Sequence, residues 1–550
     1  MAGMTTARST LAGATVGLLL AGGASLRPSL TPRSTLHQGL VTGVMGATGA
    51  LAGAAVGAAT APVTRRTGTW LPTLAVGAAA VAAVVQGRKH AHAQVGSYPE
   101  WGVTEGQPAL GALAGGAAAA GLSAGVAAIG SELGSAGEML SDKLPGSAAL
   151  WTTAATGTAL GALTIGVKTA LARVLGGLAV SGATVDPALA EPPDDPYVTG
   201  GPGSLVPYDS LSREGCRFVH WRVSAAEIRE AGAPSAADPV RVFIGVESAP
   251  GITERVELAL AELDRLDAWS KSYIIAVSPA GTGYANSVPV EALEFLTDGD
   301  CASVAVQYGL LPSMFSLNKV DIAAQTFREL IDRIHARTRG MAKPPRLLLY
   351  GESLGAEAAE HGLLMDPPLV DIPTAHMDRA DAALFVGTPG GRSLRNDLLD
   401  NPGTVHVDRW QALPDPLPTG IQLWFLEHDA DPVTRFDRTL MWRKPAWLGA
   451  PPRGRNIPDD MNWVPVPTWE QVLLDVAYAT QSQSGVFRSV GHDYRADLAP
   501  LVAAAFVPDQ IDRVPHIQIL LSDREVARDR LLAGGSAQPA DEPTQVSSDA

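Results

Sequence analysis

The sequence predicts an N-terminal α-helical transmembrane bundle followed by an α/β domain, a mainly parallel sheet with helices on both faces. Residues 1–185 contain several long stretches with few charges, whereas the chain from residue 239 onward alternates short apolar runs with amphipathic ones. Residues 1–185 also hold 10 Lys and Arg against 5 Asp and Glu, although the whole chain has a formal net charge of −15. At 550 residues, the chain is long enough for roughly two to four domains.

Five stretches in the N-terminal part approach the roughly 20 residues that a helix needs to cross a bilayer. They are rich in Ala, Gly, Thr and Ser, which permits close helix packing in lipid, although soluble helices of the same composition are the alternative. We predict a transmembrane domain over residues 1–180 and hence a multi-pass integral membrane protein with the lipid bilayer as partner. The predicted spans lie near residues 9–26, 39–62, 69–87, 107–130 and 147–167.

The remaining boundaries follow from composition. Residues 181–210 are rich in Pro, Gly and Asp and predict a linker, residues 211–533 form the α/β domain, and residues 534–550 have the composition of a disordered tail. A slight excess of basic residues on one side of the spans favours a cytoplasmic α/β domain. That excess is small, so the sequence leaves the side of the membrane undecided, and it says nothing of the oligomeric state.

The composition argues against two classes of function. Nucleic-acid binding favours clustered positive charge, whereas the soluble part of this chain is acidic. Cys216 and Cys301 are the two cysteines of the chain, and neither belongs to a CxxC pair or a Cys/His cluster. We therefore expect no nucleic-acid partner, no metal and no cofactor.

Continuously apolar runs separated by helical patterns predict the parallel sheet. In such sheets ligands bind at the carboxyl ends of the strands, so catalytic residues are expected in the loops there. The predicted strands are residues 240–246, 272–278, 303–309, 346–351, 382–387 and 421–427. The predicted helices are residues 252–269, 289–297, 320–337 and 468–480, together with SLGAEAAEHGLL from residue 353 and DLAPLVAAAF from residue 497.

The stretch Gly351-Glu352-Ser353-Leu354-Gly355 fits G-x-S-x-G and lies between a predicted strand and a predicted helix. This is the context of a nucleophile elbow, in which a serine occupies a strained turn with its hydroxyl exposed. Larger residues two positions before and after the serine would clash with the neighbouring strand and helix. We therefore predict that Ser353 is a nucleophile, the alternative being an ordinary turn serine.

A nucleophilic serine needs a base, and the base needs an orienting carboxylate, in the chain order Ser, acid, His. The stretch HDADPV after the strand at 421–427 offers Asp431, which we prefer, and Asp429 as the alternative acid. His492 lies in the loop SVGHDY and is the predicted base. His516 is the other histidine after Asp431, and its stretch HIQILL predicts an amphipathic strand.

An oxyanion hole needs two N–H donors. One is predicted to be Leu354, the residue after the nucleophile. The second is predicted in the glycine-rich loop that follows the strand at 272–278, with Gly281 or Thr282 preferred. The loop at 247–248 is the alternative donor if the strand count differs by one.

Several motifs together resemble a bacterial family of membrane-anchored α/β-hydrolases of largely unknown function. The motifs are SLRPSLTPR (25–33), GTGY (281–284), VAVQYGLLPS (304–313), GESLG (351–355), HDADP (428–432) and VGHDY (490–494). The resemblance covers roughly residues 9–505 and implies an α/β-hydrolase domain in which Ser353, Asp431 and His492 form the catalytic triad. It also implies a location in the bacterial cell membrane, and it indicates no particular substrate.

These observations predict a membrane-anchored serine hydrolase that cleaves ester bonds through a Ser-His-Asp triad and an acyl-enzyme. A catalytic site tethered to a bilayer makes a lipid or acylated envelope ester the expected substrate, with a small-molecule ester also possible. An acyltransferase would use the same triad, so the sequence does not separate the two reactions. A non-catalytic binding or scaffold module is the alternative from a different class.

Overall fold

The structure is a computed structural model that describes residues 2–67, 70–98, 113–117, 184–310, 320–391, 393–479 and 483–534. Its N-terminal part contains the helices α1 (Ala2–Ser25), α2 (Thr35–Thr67) and α3 (Trp70–Ser97). Helices α1 and α2 pack along each other through small residues. Gly13 and Gly53 face each other so closely that a side chain on either would overlap the other's carbonyl oxygen. Glycine is required here because the two backbones approach too closely for a larger residue.

Two N-terminal segments, Thr35–Gly57 and Trp70–His90, are long and apolar enough to cross a membrane by length and composition. In the structure 28% and 11% of the most apolar window of these segments are buried, so most of their apolar surface is open. They coincide with the predicted spans at 39–62 and 69–87 and give weak support for membrane association.

The other three predicted spans have no such support. The span at 9–26 falls on α1, which is not among the candidate membrane helices. The spans at 107–130 and 147–167 lie outside the described residues, apart from 113–117. The bundle of about five spans therefore stays a prediction, as do the domain boundaries.

A seven-stranded parallel sheet forms the centre of the C-terminal part, and this confirms the predicted sheet. Its strands follow the order β1-β3-β2-β4-β7-β9-β8, and β5 pairs with β6 in a separate antiparallel hairpin. Strand β8 is not predicted by the sequence pattern, because the strand has only four residues and His406 within it is exposed. The strands are β1 (Val240–Ile244), β2 (Tyr273–Ser278), β3 (Cys301–Val306), β4 (Arg346–Glu352), β5 (Val370–Asp371), β6 (His376–Met377), β7 (Ala382–Val386), β8 (Thr404–Val407) and β9 (Leu423–Leu426).

Helices connect these strands and cover the sheet. The described helices of this part are α4 (Arg213–His220), α5 (Ala225–Glu230), α6 (Ile252–Arg265), α7 (Ser287–Leu296), α8 (Val320–Thr338), α9 (Leu354–Leu364), α10 (Arg395–Leu398), α11 (Pro432–Arg435), α12 (Pro467–Ala477), α13 (Arg495–Phe506) and α14 (Val514–Leu532). Short 3-10 turns occur at Pro187–Leu189, Tyr208–Ser210, Ala268–Ser270, Trp410–Ala412, Arg438–Met441, Ala446–Leu448 and Pro508–Arg513.

The prediction of a strand at His516 is wrong, because HIQILL lies within α14. Ile517 and Leu521 are buried four residues apart, while Ile519 between them is 61% exposed. A spacing of four places side chains on one face of a helix. The apolar residues at 517, 519 and 521 imitated a strand pattern, and only the packing of the helix distinguishes the two.

The motif SLRPSLTPR connects the N-terminal helices to the C-terminal domain. Arg33 is buried, and its Nε lies 3.2 Å from Oδ1 of Asp475 in α12. The other oxygen of Asp475 accepts a hydrogen bond from the backbone N–H of Leu30 at 3.3 Å, and Nη1 of Arg33 donates to the Ser25 carbonyl at 2.7 Å. The ring of His37 stacks on Tyr478 with 4.1 Å between centroids. Arg33 of this motif therefore makes a buried contact between the two parts of the chain.

An ion pair is also buried inside the sheet domain. Arg241 in β1 and Glu294 in α7 are fully buried, and two hydrogen bonds of 2.6 and 2.8 Å join the guanidinium to the carboxylate. Glu294 also accepts from the backbone N–H of Val223 at 3.0 Å. Removing one partner of such a pair leaves an unpaired charge in the core.

We expect Arg241→Met to lower the free energy of unfolding by about 3–5 kcal/mol, because it leaves Glu294 buried without its cation. The matched control is Arg337→Met, which removes an arginine paired with Asp264 where both side chains are 49% exposed and should cost less than about 1 kcal/mol. Chemical denaturation followed by circular dichroism measures both. Equal losses in the two variants would contradict the expectation.

Candidate active site

Ser353 lies at the turn where β4 ends and α9 begins. Its backbone has φ 55° and ψ −128°, in the left-handed half of the map, which costs on the order of 1–3 kcal/mol for a residue other than glycine. The N–H of Ser353 donates to the Val386 carbonyl at 2.8 Å, and the Ser353 carbonyl accepts from Ala356 at 2.9 Å. The chain therefore reverses within one residue, and the half-buried serine occupies the tip of the turn.

The glycines on either side of Ser353 have a steric cause. A Cβ on Gly351 would lie 2.8 Å from the Cα of Ala356, and a Cβ on Gly355 would overlap the Ser278 carbonyl at the end of β2. Both positions therefore require glycine, because backbone atoms occupy the space that a side chain needs.

The predicted oxyanion donors lie beside this turn. β2 pairs with β4 so that Ser278 is opposite Gly351, and the loop with Gly281 and Thr282 therefore starts next to the turn. In the described part of the chain, the backbone N–H groups of Leu354, Gly281 and Thr282 donate to no other protein group. The alternative loop at 247–248 follows β1, which two strands separate from β4. The geometry favours the loop with Gly281, and the identity of the donor stays a prediction.

His492 and Asp431 form a buried pair. Nδ1 of His492 lies 2.6 Å from Oδ2 of Asp431, and Asp431 has no exposed surface. The second carboxylate oxygen, Oδ1, accepts from the backbone N–H of Val433 at 2.8 Å, and the hydroxyl of Tyr494 donates to Oδ2 at 2.6 Å. This arrangement leaves Nε2 of His492 as the ring nitrogen that can exchange a proton with another group.

The structure does not bring the alternative acid, Asp429, to His492. Oδ1 of Asp429 lies 3.0 Å from the guanidinium of Arg435, and Oδ2 accepts from the backbone N–H of Arg455 at 2.9 Å. Asp429 therefore anchors neighbouring loops, although it is only two residues from Asp431.

Ser353 and His492 both lie at the carboxyl end of β7. Ser353 is bonded to the Val386 carbonyl, and the next residue, Gly387, contacts the ring of His492. A Cβ on Gly387 would lie 2.9 Å from Cε1 of His492 and 2.7 Å from the ring of Tyr494. No hydrogen bond joins the serine and the histidine within the described chain. Such bonds are often long before a substrate binds.

Burial and charge act in opposite directions on the pKa of His492. Burial lowers the pKa and the carboxylate of Asp431 raises it, and the result is a pKa above the ordinary 6.5. Burial, with the charge of Asp431, raises the pKa of Tyr494 well above its ordinary value. Tyr494 is therefore a protonated hydroxyl that can only donate to Asp431.

A second His–Asp pair, which sequence reasoning missed, supports the loop that carries His492. Nδ1 of His428 lies 2.8 Å from the carbonyl oxygen of Gly491, and Nε2 lies 2.9 Å from Oδ2 of Asp497. The ring of His428 also stacks on Tyr494 with 4.1 Å between centroids. His428 and Tyr494 are part of the motifs HDADP and VGHDY, so their sequence neighbourhood was the available signal.

The described residues contain no group of three or more His, Cys, Asp or Glu side chains that could hold a metal ion. Cys216 and Cys301 are both buried as free thiols.

The comparisons with known proteins return two family matches. A family described as "Alpha/beta-hydrolase family" matches residues 240–516, and one described as "Alpha/beta-hydrolase family N-terminus" matches residues 26–221. Neither the search of curated proteins nor the search of solved structures returned a significant match.

We expect Gly387→Ala to slow the reaction of Ser353 with a fluorophosphonate probe by roughly tenfold to a hundredfold, because the added Cβ displaces the ring of His492. The matched control is Gly420→Ala. Gly420 also has a positive φ, 78°, but a Cβ there meets nothing within 4 Å. Both variants should lose about 1–2 kcal/mol of stability from the backbone conformation, while the control reacts at the wild-type rate. Equal rates in the two variants would contradict the placement of His492.

Proposed function

The chain belongs to the alpha/beta-hydrolase family, and on this premise we propose that it is a membrane-anchored serine hydrolase that cleaves ester bonds. Membership of the family indicates hydrolase or acyltransferase activity. One observation carries the finer proposal: a serine in a strained strand-to-helix turn lies at the same strand end as a buried histidine–carboxylate pair.

Each residue of the site has a role in the proposed reaction. Nε2 of His492 takes the proton of the Ser353 hydroxyl as Oγ attacks the ester carbonyl, and the same nitrogen then donates that proton to the leaving alcohol. The acyl-enzyme is hydrolysed when Nε2 of His492 takes a proton from water and the hydroxide attacks the acyl carbon. The bond between that carbon and Oγ of Ser353 then breaks, and Nε2 returns the proton to Oγ. Asp431 accepts a hydrogen bond from Nδ1–H of His492 and thereby holds the ring in the tautomer that keeps Nε2 free.

The negative charge that develops on the ester oxygen needs donors that are already in place. The N–H of Leu354 is the first of helix α9, where the helix dipole adds partial positive charge. Gly281 or Thr282 supplies the second donor from the loop after β2. These N–H groups have no other protein acceptor in the described chain, so they are available to an oxyanion.

The substrate class follows from the N-terminal part. Two apolar helices with open surfaces and the buried contacts around Arg33 and Asp475 support a catalytic domain held close to a lipid surface. We infer a lipid or acylated envelope ester as the substrate, and a multi-pass location in a bacterial cell membrane. An acyltransferase would follow the same steps, with an alcohol other than water as the acceptor.

We expect the full chain in non-ionic detergent to react with a fluorophosphonate probe, because His492 activates Ser353. Ser353→Ala should abolish labelling, and His492→Ala should slow it by at least about a hundredfold. In-gel fluorescence over time measures both. Absence of labelling in folded wild-type protein would overturn the proposed activity and favour a non-catalytic binding or scaffold module.

Substituting each aspartate of HDADP in turn tests which of the two orients His492. Asp431→Asn should slow labelling by at least about a hundredfold, because a neutral amide neither stabilises the imidazolium of His492 nor fixes its Nδ1–H tautomer. Asp429→Asn is the matched control, two residues away, and should react near the wild-type rate. The reverse result would assign the role to Asp429.

The pH dependence of the reaction follows from the raised pKa of His492. The base must be neutral to take the serine proton, so activity falls as the pH drops through this pKa. Because the pKa lies above 6.5, the midpoint of the acid limb of kcat/KM should also lie above 6.5. Hydrolysis of a non-ionisable ester over a pH series measures the midpoint, and a midpoint below 6.5 would contradict the pairing with Asp431.

A further inference from the structure

A basic cavity lies at the base of the loop that carries His492. Its volume is about 270 Å³, several times the roughly 30 Å³ that one water molecule occupies in the liquid. Its described lining is Arg409, Gln411, Arg455, Arg488, Ser489 and Val490. Three arginines therefore line one space, without a carboxylate in the described lining, in a chain whose formal net charge is −15.

Within the described chain, two of the three arginines have no anionic partner. Arg455 pairs with Asp408 at 2.9 Å and donates to the carbonyl and hydroxyl oxygens of Ser489 at 2.7 and 3.0 Å. The side chains of Arg409 and Arg488 make no ion pair and no side-chain hydrogen bond within the described chain. Adjacent like charges repel each other, and a bound anion would relieve that repulsion.

The walls of this cavity are rigidly held. The backbone N–H of Trp410, between Arg409 and Gln411, donates to Oδ1 of Asp497 at 2.9 Å. Oδ2 of the same carboxylate binds His428, and the hydroxyl of Ser489 lies 3.3 Å from that histidine. These contacts hold the backbone segments that carry Arg409 and Arg488, which reduces the backbone entropy lost when a ligand binds.

We propose that this cavity binds the phosphate group of an anionic ligand. A guanidinium offers a planar fork of donors that matches the oxygens of phosphate. Asp408 pairs with Arg455 alone in the described chain, so the donors of Arg409 and Arg488 are available to a phosphate. The ligand is either a phospholipid headgroup or a soluble phosphate compound. This inference is independent of the proposed hydrolase activity, because no member of the triad lines the cavity.

The test is direct binding to the full chain in non-ionic detergent, measured by isothermal titration calorimetry. The soluble probes are inorganic phosphate and pyrophosphate, and the lipid probe is phosphatidic acid in mixed micelles with diacylglycerol as the phosphate-free control. Arg409→Gln/Arg488→Gln should weaken binding by at least about tenfold. The exposed pair Arg229→Gln/Arg339→Gln removes the same charge elsewhere and should leave binding unchanged. Circular dichroism verifies folding of both variants.

Two results support the proposal and distinguish the source of the phosphate. Binding of phosphate or pyrophosphate that exceeds binding of phosphatidic acid indicates a soluble ligand, whereas tighter binding of phosphatidic acid, without binding of diacylglycerol, indicates a headgroup. Failure of folded wild-type protein to bind any phosphate probe at millimolar concentrations would overturn it. Equal weakening in the two double variants would also overturn it, because binding would then depend on net charge alone.

Discussion

The arrangement of the candidate site depends on one buried carboxylate, that of Asp431. A buried charge is costly unless it is hydrogen-bonded and paired, and three donors meet this requirement: Val433, Tyr494 and His492. Val433 lies two residues from Asp431 in the chain, whereas His492 and Tyr494 come from a loop some sixty residues further on. The cost of burying the carboxylate therefore fixes the position of the histidine relative to the end of the sheet.

A second set of contacts supports the loop that carries His492. His428 and Asp497 join the strand end after β9 to helix α13, and Tyr494 contacts both histidines through its ring. Ser489 lines the basic cavity and bonds His428. Asp497 bonds both His428 and the backbone of Trp410 beside the cavity. The proposed phosphate site and the candidate active site therefore share this set of contacts.

The N-terminal motif SLRPSLTPR shows how polar residues can be retained among apolar helices. Arg33 is fully buried, and a guanidinium in that position is stable only with partners. Asp475 of α12 and the carbonyl of Ser25 supply them. The motif therefore attaches the apolar helices to the sheet domain, and the proposed location near a lipid surface rests on this contact.

Local pattern was enough to predict six of the seven sheet strands and the turn at Ser353, because buried parallel strands are continuously apolar and an elbow demands glycine on both sides. Local pattern failed for HIQILL, because the same apolar spacing fits a strand and a helix, and the segment is helical because Ile517 and Leu521 pack on one face. It also failed for β8, because this short strand has no continuous apolar sequence. The stretch HDADPV favoured Asp431 over Asp429, but the contact of Asp431 with His492 forms only when the end of β9 and the loop before α13 come together. Tyr494, His428 and the arginine-lined cavity likewise depend on residues distant in the chain, which no local pattern encodes.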